Sequence, residues 1–504
     1  TDGKIVFGEK GEDDTTTAVI IAPVSDYAAF VKAMGADKVE GIASLKFDKK
    51  DGYAKDLGGG YAALTTISGL LDKFDGKAGM NAQHAKNMGK NGSRISDNAD
   101  VILIANIPAM QEQIEEGGNK MKDQLEQMGA MAGQQGAGLT TVAKMAEGVV
   151  DGVLKDGQVG VLGFKFGETG VSIDLGAQFK EGSDFGKFFN STGKSGALMS
   201  KIPNIPFFFA GAFDTSSPGV KQVVKNMAAA NPPAPPKEGE KAGPDVPSTF
   251  GALVKNIEKI DGTAFILGSS PLIGGIFVNS LVYTATSDPK GFSAATAAAL
   301  KEANGQSAGP AKTLTSYTEG VKEIDGVKVD TWSMKMEFAE QDQMSMVVEN
   351  VLGAEGLNAM TAQVDNGVVT VYSQNTPLMT KAIAAAKSGA GALGDNEALK
   401  DAQANLPANR TMELFIGVKQ LMDAGMGFYS MMGGGADITV PAKISPIAMG
   451  ATTSDSGFDL RLFFPNDTIK GIADVMKQAK VGGGGDDEED APQKKDEPGK
   501  SPRF

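Results

Sequence analysis

Four strand–turn–helix segments occur twice along this chain, in the same order, and that repetition limits the fold more than any other feature. The first is "TAVIIAP", Ser25-Asp26 and "YAAFVKAM", matched by "SLVYTAT", Ser287-Asp288 and "GFSAATAAAL". The second pairs residues 56–74, "DLGGGYAALTTISGLLDKF", with 363–383, "QVDNGVVTVYSQNTPLMTKAI". The third pairs 98–110, "NADVILIANIPAM", with 409–422, "NRTMELFIGVKQLM". The fourth pairs 161–179, "VLGFKFGETGVSIDLGAQF", with 445–464, "SPIAMGATTSDSGFDLRLFF". Each match alone is weak, but four in register imply one plan used twice. A short side-chain oxygen accepts the unpaired N–H groups that open a helix, so Ser25-Asp26 and Ser287-Asp288 read as equivalent N-caps.

The repeated bodies are bounded by two segments with no apolar face. Residues 231–249 begin "NPPAPPKEGEKAGPDVP" and read as a Pro-rich linker. Residues 481–504, "VGGGGDDEEDAPQKKDEPGKSPRF", read as a solvated acidic Gly-rich tail. Residues 1–14 are then a lead-in, 15–230 the first repeat and 250–480 the second. A length of 504 residues is too great for one ordinary core, which agrees with two domains. Alternation with period two, as in "VKVDTWSMKMEF" around Trp332, predicts strands. Asp325-Gly326 predicts a tight hairpin, and hairpins imply antiparallel sheet. The expected fold class is α+β: two tandem similar units, each a mainly antiparallel sheet with helices packed on one face.

Composition removes several kinds of chemistry. Cysteine is absent, so there are no disulfides, thiolate nucleophiles, zinc fingers or iron–sulfur sites. The net charge of −14 comes without a basic stripe, which argues against nucleic acid and anionic membrane surfaces as partners. No run of 18 apolar residues predicts a transmembrane segment. The start at Thr1 is read as following a removed secretory signal, with an extracellular, periplasmic or cell-envelope location expected.

His84 is the one histidine, which leaves no multi-histidine metal site, and no G-x-S-x-G elbow accompanies it for a catalytic triad. "FFNSTGKSGAL" at 188–198 contains Gly-Lys-Ser, but a phosphate-cradling loop needs glycine at the position Phe188 occupies, so the stretch reads as a surface loop. No catalytic residue, metal ligand or cofactor is assigned.

Methionine gives the candidate site. After the strand ending at residue 106, Met110 and Ile114 share a helical face, continued by Met121, Leu125 and Met128. The corresponding place in the second repeat carries Met422, Met426, Phe428, Met431 and Met432. Flexible thioethers adapt to irregular apolar partners. With "VSDYAAF…GGGYAALTTISGLLDKF…ADVILIANI" repeated with drift, the chain resembles uncharacterised secreted bacterial proteins with two tandem α+β repeats. That resemblance implies the fold and no reaction. The leading functional expectation is an exported non-enzymatic binding or structural protein, a subunit of an extracellular or envelope assembly that self-associates or binds an envelope protein. One alternative is a carrier that holds a lipid-like apolar ligand between sheet and Met-rich helix. A second is a carboxylate-based hydrolase, which needs two acids in a cleft, one with a raised pKa.

Overall fold

The computed structural model describes residues 3–10, 16–36, 38–47, 50–72, 79–131, 147–148, 150–189, 193–217, 221, 257–268, 277–308, 311–338, 343–431 and 438–482. The expected linker, and the tail beyond residue 482, lie outside them. The expected lead-in contains a strand.

The first strands are β1 (Gly3–Lys10), β2 (Thr16–Pro23), β3 (Ile42–Phe47), β4 (Lys50–Gly58), β5 (Tyr61–Thr65) and β6 (Val101–Asn106). Then come β7 (Gly157–Phe166), β8 (Gly170–Phe179), β9 (Phe207–Asp214), β10 (Ile260–Gly268), β11 (Leu281–Thr286) and β12 (Ser307–Ala308). The last are β13 (Ala311–Ile324), β14 (Val327–Phe338), β15 (Leu357–Val364), β16 (Gly367–Val371), β17 (Met412–Ile416), β18 (Ile447–Ser454) and β19 (Gly457–Pro465). Pairing runs from β3 through β4, β5, β2, β1, β6, β7 and β8 to β19. It continues through β18, β17, β9, β10, β11, β16, β15, β14, β13 and β12. Among the described residues every pairing except β1 with β6 is antiparallel. The protein is therefore α+β with extensive antiparallel sheet. β9, which precedes residues 231–249 in the chain, lies between β17 and β10, which follow them.

Local chemistry explains the boundaries. Helix α1 (Tyr27–Ala33) opens on Asp26, whose Oδ1 accepts from Ala29 N at 2.9 Å. Pro289–Ala303, designated α7 below, opens on Asp288, whose Oδ1 accepts from Gly291 N at 2.9 Å. Both caps were expected, and in both the aspartate does the capping. Asp325 and Gly326 turn β13 into β14 with φ of 50° and 75°, the left-handed pair that a two-residue hairpin requires. Asp455 (φ 50°) and Ser456 (φ 60°) do the same between β18 and β19 without a glycine at either position.

The remaining helices used here are α2 (Ser68–Asp72), α3 (Gly79–Asn98), α4 (Gln111–Met131), α5 (Asp184–Phe188) and α6 (Ser195–Met199). After α7 come α8 (Gln343–Leu352), α9 (Thr376–Ser388), α10 (Glu397–Ala404), α11 (Val418–Met431) and α12 (Asn466–Gly482). The largest core joins Met379 and Ile383 of α9 to Tyr283, Val369 and Ala362 on neighbouring strands. Register places these three on one face of the sheet. Helices are not confined to that face. Val31 of α1 packs with Ala43 and Ala54 on the other side of β3 and β4, while Leu71 of α2 packs with Ala63 and Ile42. Successive side chains of a strand point to opposite faces, so α1 and α2 sandwich this end of the sheet. At the far end Thr315, on the side of β13 that faces away from α9, hydrogen-bonds Leu300 O of α7 at 2.5 Å.

Candidate functional site

Between those ends the two faces of the sheet differ sharply. Register aligns Gly163, Asp174, Arg461, Gly450, Glu413, Ala212 and Ala264 across seven adjacent strands, β7, β8, β19, β18, β17, β9 and β10. This row is covered. Ile95 of α3 lies over Gly163 and Gly176, and Leu198 of α6 lies over Gly262. Asp174 and Glu413 are fully buried.

The covered row holds charge. Arg461 grips Asp174 with two bonds, Nε to Oδ1 at 2.6 Å and Nη2 to Oδ2 at 3.1 Å. Its Nη1 donates to Asn405 O at 3.0 Å. Arg94 of α3 pairs with Asp459 and reaches Thr452 Oγ1 at 3.3 Å. Arg410 Nε donates to Glu413 Oε2 at 2.9 Å, and Gln403 Nε2 donates to the same oxygen at 3.2 Å. Three guanidiniums thus face three carboxylates. Burial pushes Glu413 above the usual carboxylate range against the pull of Arg410. Asp459 is raised to about 6, first by burial and then by the Asp174 charge, with Arg94 and Arg461 opposing.

The opposite face of the same seven strands is apolar. Leu162, Leu175, Leu460, Ala451, Met412, Phe213 and Thr263 form one row. Phe164, Ile173, Leu462, Met449, Leu414, Gly211 and Phe265 form the next. Phe166, Val171 and Phe464 extend the patch. No Asp, Glu, Lys or Arg stands in these rows. Leu175, Phe213 and Phe166 are 44%, 38% and 65% exposed, and the other side chains of the two full rows are half-buried. A sheet with one wet face normally turns polar residues outward. Here the charges lie under the helices and the hydrocarbon faces out.

The residues singled out in the sequence belong to none of these strand rows. Met110 ends a short 3-10 turn and is exposed, Met121 on α4 is exposed, and Ile114 and Leu125 are half-buried. Met422 and Met426 on α11 are half-buried. The side chains of Met128, Phe428 and Met431, and all of Met432, lie outside the described residues. So does the side chain of His84, whose backbone belongs to α3. The Gly-Lys-Ser stretch is not the surface loop expected. Gly193 N donates to Asn409 O at 3.2 Å, a Cβ at Gly193 would strike the Arg410 backbone, and Ser195 is fully buried. Asp174 and Asp459 are the two interacting acids, one with a raised pKa, that a carboxylate hydrolase would need, but both are buried and held by arginines rather than lining a cleft.

Among the described residues no group of three His, Cys, Asp or Glu side chains is placed to hold a metal ion. No described helix is long and apolar enough to cross a membrane. Comparison with protein-family models, curated proteins and solved structures finds no match to the chain.

Proposed function

We propose that the protein is a non-enzymatic binding protein, an exported subunit of an extracellular or envelope assembly, and that its working surface is the open apolar face of the central sheet. One observation carries this reading: the face is wide, free of charge and left in contact with solvent. Seven strands spaced about 4.8 Å apart, each offering about five residues of ~3.3 Å, span on the order of 600 Å². That is the upper end of the largest apolar patch on an ordinary monomer, where such patches mark binding surfaces. Covering it transfers hydrocarbon out of water.

We also read the chain as two tandem units meeting at β8 and β19. Several features support this. Asp174 and Arg461, opposite each other in register, each lie four residues beyond a hairpin glycine, Gly170 and Gly457. The order outward from the seam is β8, β7, β6 on one side and β19, β18, β17 on the other. Beyond these come β1, β2 and β5, or β10, β11 and β16, with β9 inserted only on the second side. Asp26 and Asp288 cap the helices that follow β2 and β11.

Native mass spectrometry on protein purified from its own source tests the function. The expected spectrum shows the 52.1 kDa chain carrying added mass, either another polypeptide or a releasable apolar molecule. Leu175→Asp is expected to remove that mass while leaving the fold intact. A bare chain in both samples would contradict the proposal.

A further inference from the structure

We infer that the occupant of the open face is a second copy of this chain, docked sheet against sheet about a two-fold axis. The inference rests on the reading of that face as the working surface and names its partner.

Size is the first reason. Stable interfaces take roughly 600–1,000 Å² from each partner, and the face offers on the order of 600 Å² by strand spacing. An extended acyl chain spanning half a bilayer core is about 15 Å long. If it is one strand-spacing wide, it covers roughly an eighth of the face. A matching sheet covers all of it.

Charge is the second. Each copy carries a net charge of −14, so two copies repel at long range. The open rows contain no Asp, Glu, Lys or Arg, so docking there puts no like charges in direct contact. Ala451 stands low between Leu460 and Met412, while the Phe265 ring lies over Gly211 and stacks beside Phe213, so one surface presents both a recess and projections. A two-fold interface needs that self-complementarity.

The third reason is that the long β13 edge is blunted. Between Thr318 and Lys322 the pairing of β13 with β14 slips, with Gly320 at a φ of 59°. Glu319, Lys322 and Glu323 stud the same stretch. Bulges and charges of this kind prevent edge-to-edge addition. Addition of a second copy at that long edge is thereby disfavoured.

The flanking helices also mark the limits of the surface. α1 and α7 rise from the same face, outside the seven strands. Packed sheets lie about 10 Å apart, close to the diameter of a helix. These two helices therefore bound the docking surface at its two ends and confine a partner sheet to the strands between them.

Sedimentation equilibrium of the full chain tests the inference, with Leu175→Asp and Phe213→Asp beside the unaltered protein. The expected result is twice the 52.1 kDa chain mass for the unaltered protein. Each variant should dissociate at least about 100-fold more readily, the scale of an interface hot spot, with its circular dichroism and melting temperature retained. Met346→Asp, at an exposed position on α8, should leave the dimer intact. If an aspartate variant loses its fold, Leu175→Gln and Phe213→Gln give the same reading with a neutral side chain. A dimer that persists in folded face variants overturns the inference, because the interface is then elsewhere. A monomer carrying an apolar small molecule or a different polypeptide overturns the second copy and leaves the open face as the working surface. A monomer with nothing bound overturns both.

Discussion

Asp174→Ala is expected to lower the unfolding free energy by about 3–5 kcal/mol, the cost of leaving one member of a buried ion pair alone. Arg461 donates to Asp174 through two nitrogens, and their side chains are 17% and 0% exposed. Alanine would leave the guanidinium under the covering elements with one remaining described partner, Asn405 O. The pair joins β8 to β19, the second and third of the seven strands that carry the open face. Asp174→Leu combined with Arg461→Met should recover most of the loss, because apolar pairs of similar volume often replace buried ion pairs at little cost. Urea unfolding of the two single variants and the double variant gives the coupling. Additive losses, or a single loss below about 1 kcal/mol, the worth of an exposed pair, would show that the pair does not hold β8 to β19.

The second large effect is on the pH dependence of stability. Asp459 is raised from 3.8 to about 6 in the folded protein, mainly by burial. A carboxyl with a higher pKa folded than unfolded binds its proton more tightly in the native state. Its stabilising contribution is therefore fully present below about pH 4 and is lost as pH rises to about 6. Two pKa units correspond to about 3 kcal/mol. The groups facing it are Arg94 and Thr452 from α3 and β18, with the charges of Asp174 and Arg461 alongside. Asp459→Asn removes the titration, so its stability curve should lack the decline that the unaltered protein shows between pH 4 and 6. Parallel curves for the two proteins would mean that Asp459 titrates alike folded and unfolded.

Much of the local structure is legible in the sequence. Asp26, Asp288 and the Asp325-Gly326 turn act through neighbouring atoms, so short stretches of chain specify them. Alternation in "VSIDLGAQF" and "FDLRLFF" likewise marks β8 and β19 as strands. Alternation gives a period and not a direction, however, and an apolar-inward assumption inverts both strands. Asp174 can lie inside only because Arg461, 287 positions later, meets it in register. That partnership belongs to the pairing of distant strands. The same limit hides the burial of Ser195, which depends on residues 409–411, and the insertion of β9 between β17 and β10. It also explains why methionines on α4 and α11 attracted attention in the sequence. They sit at helical spacing, whereas Met412 and Met449 of the open face sit in short strands and gain significance only once their neighbours are known.

Methionine oxidation of the native protein tests most directly whether the open face is a covered binding surface. Met360 and Met379 lie in the core, Met121 and Met476 are exposed, and Met412 and Met449 lie on the open face, so one chain supplies its own standards. The expected result is that Met412 and Met449 resist oxidation as well as Met360 and Met379, while Met121 and Met476 react. In Phe213→Asp the two face methionines should become reactive. Oxidation of Met412 and Met449 in the native protein at rates approaching those of Met121 and Met476 would show an empty face and contradict the account.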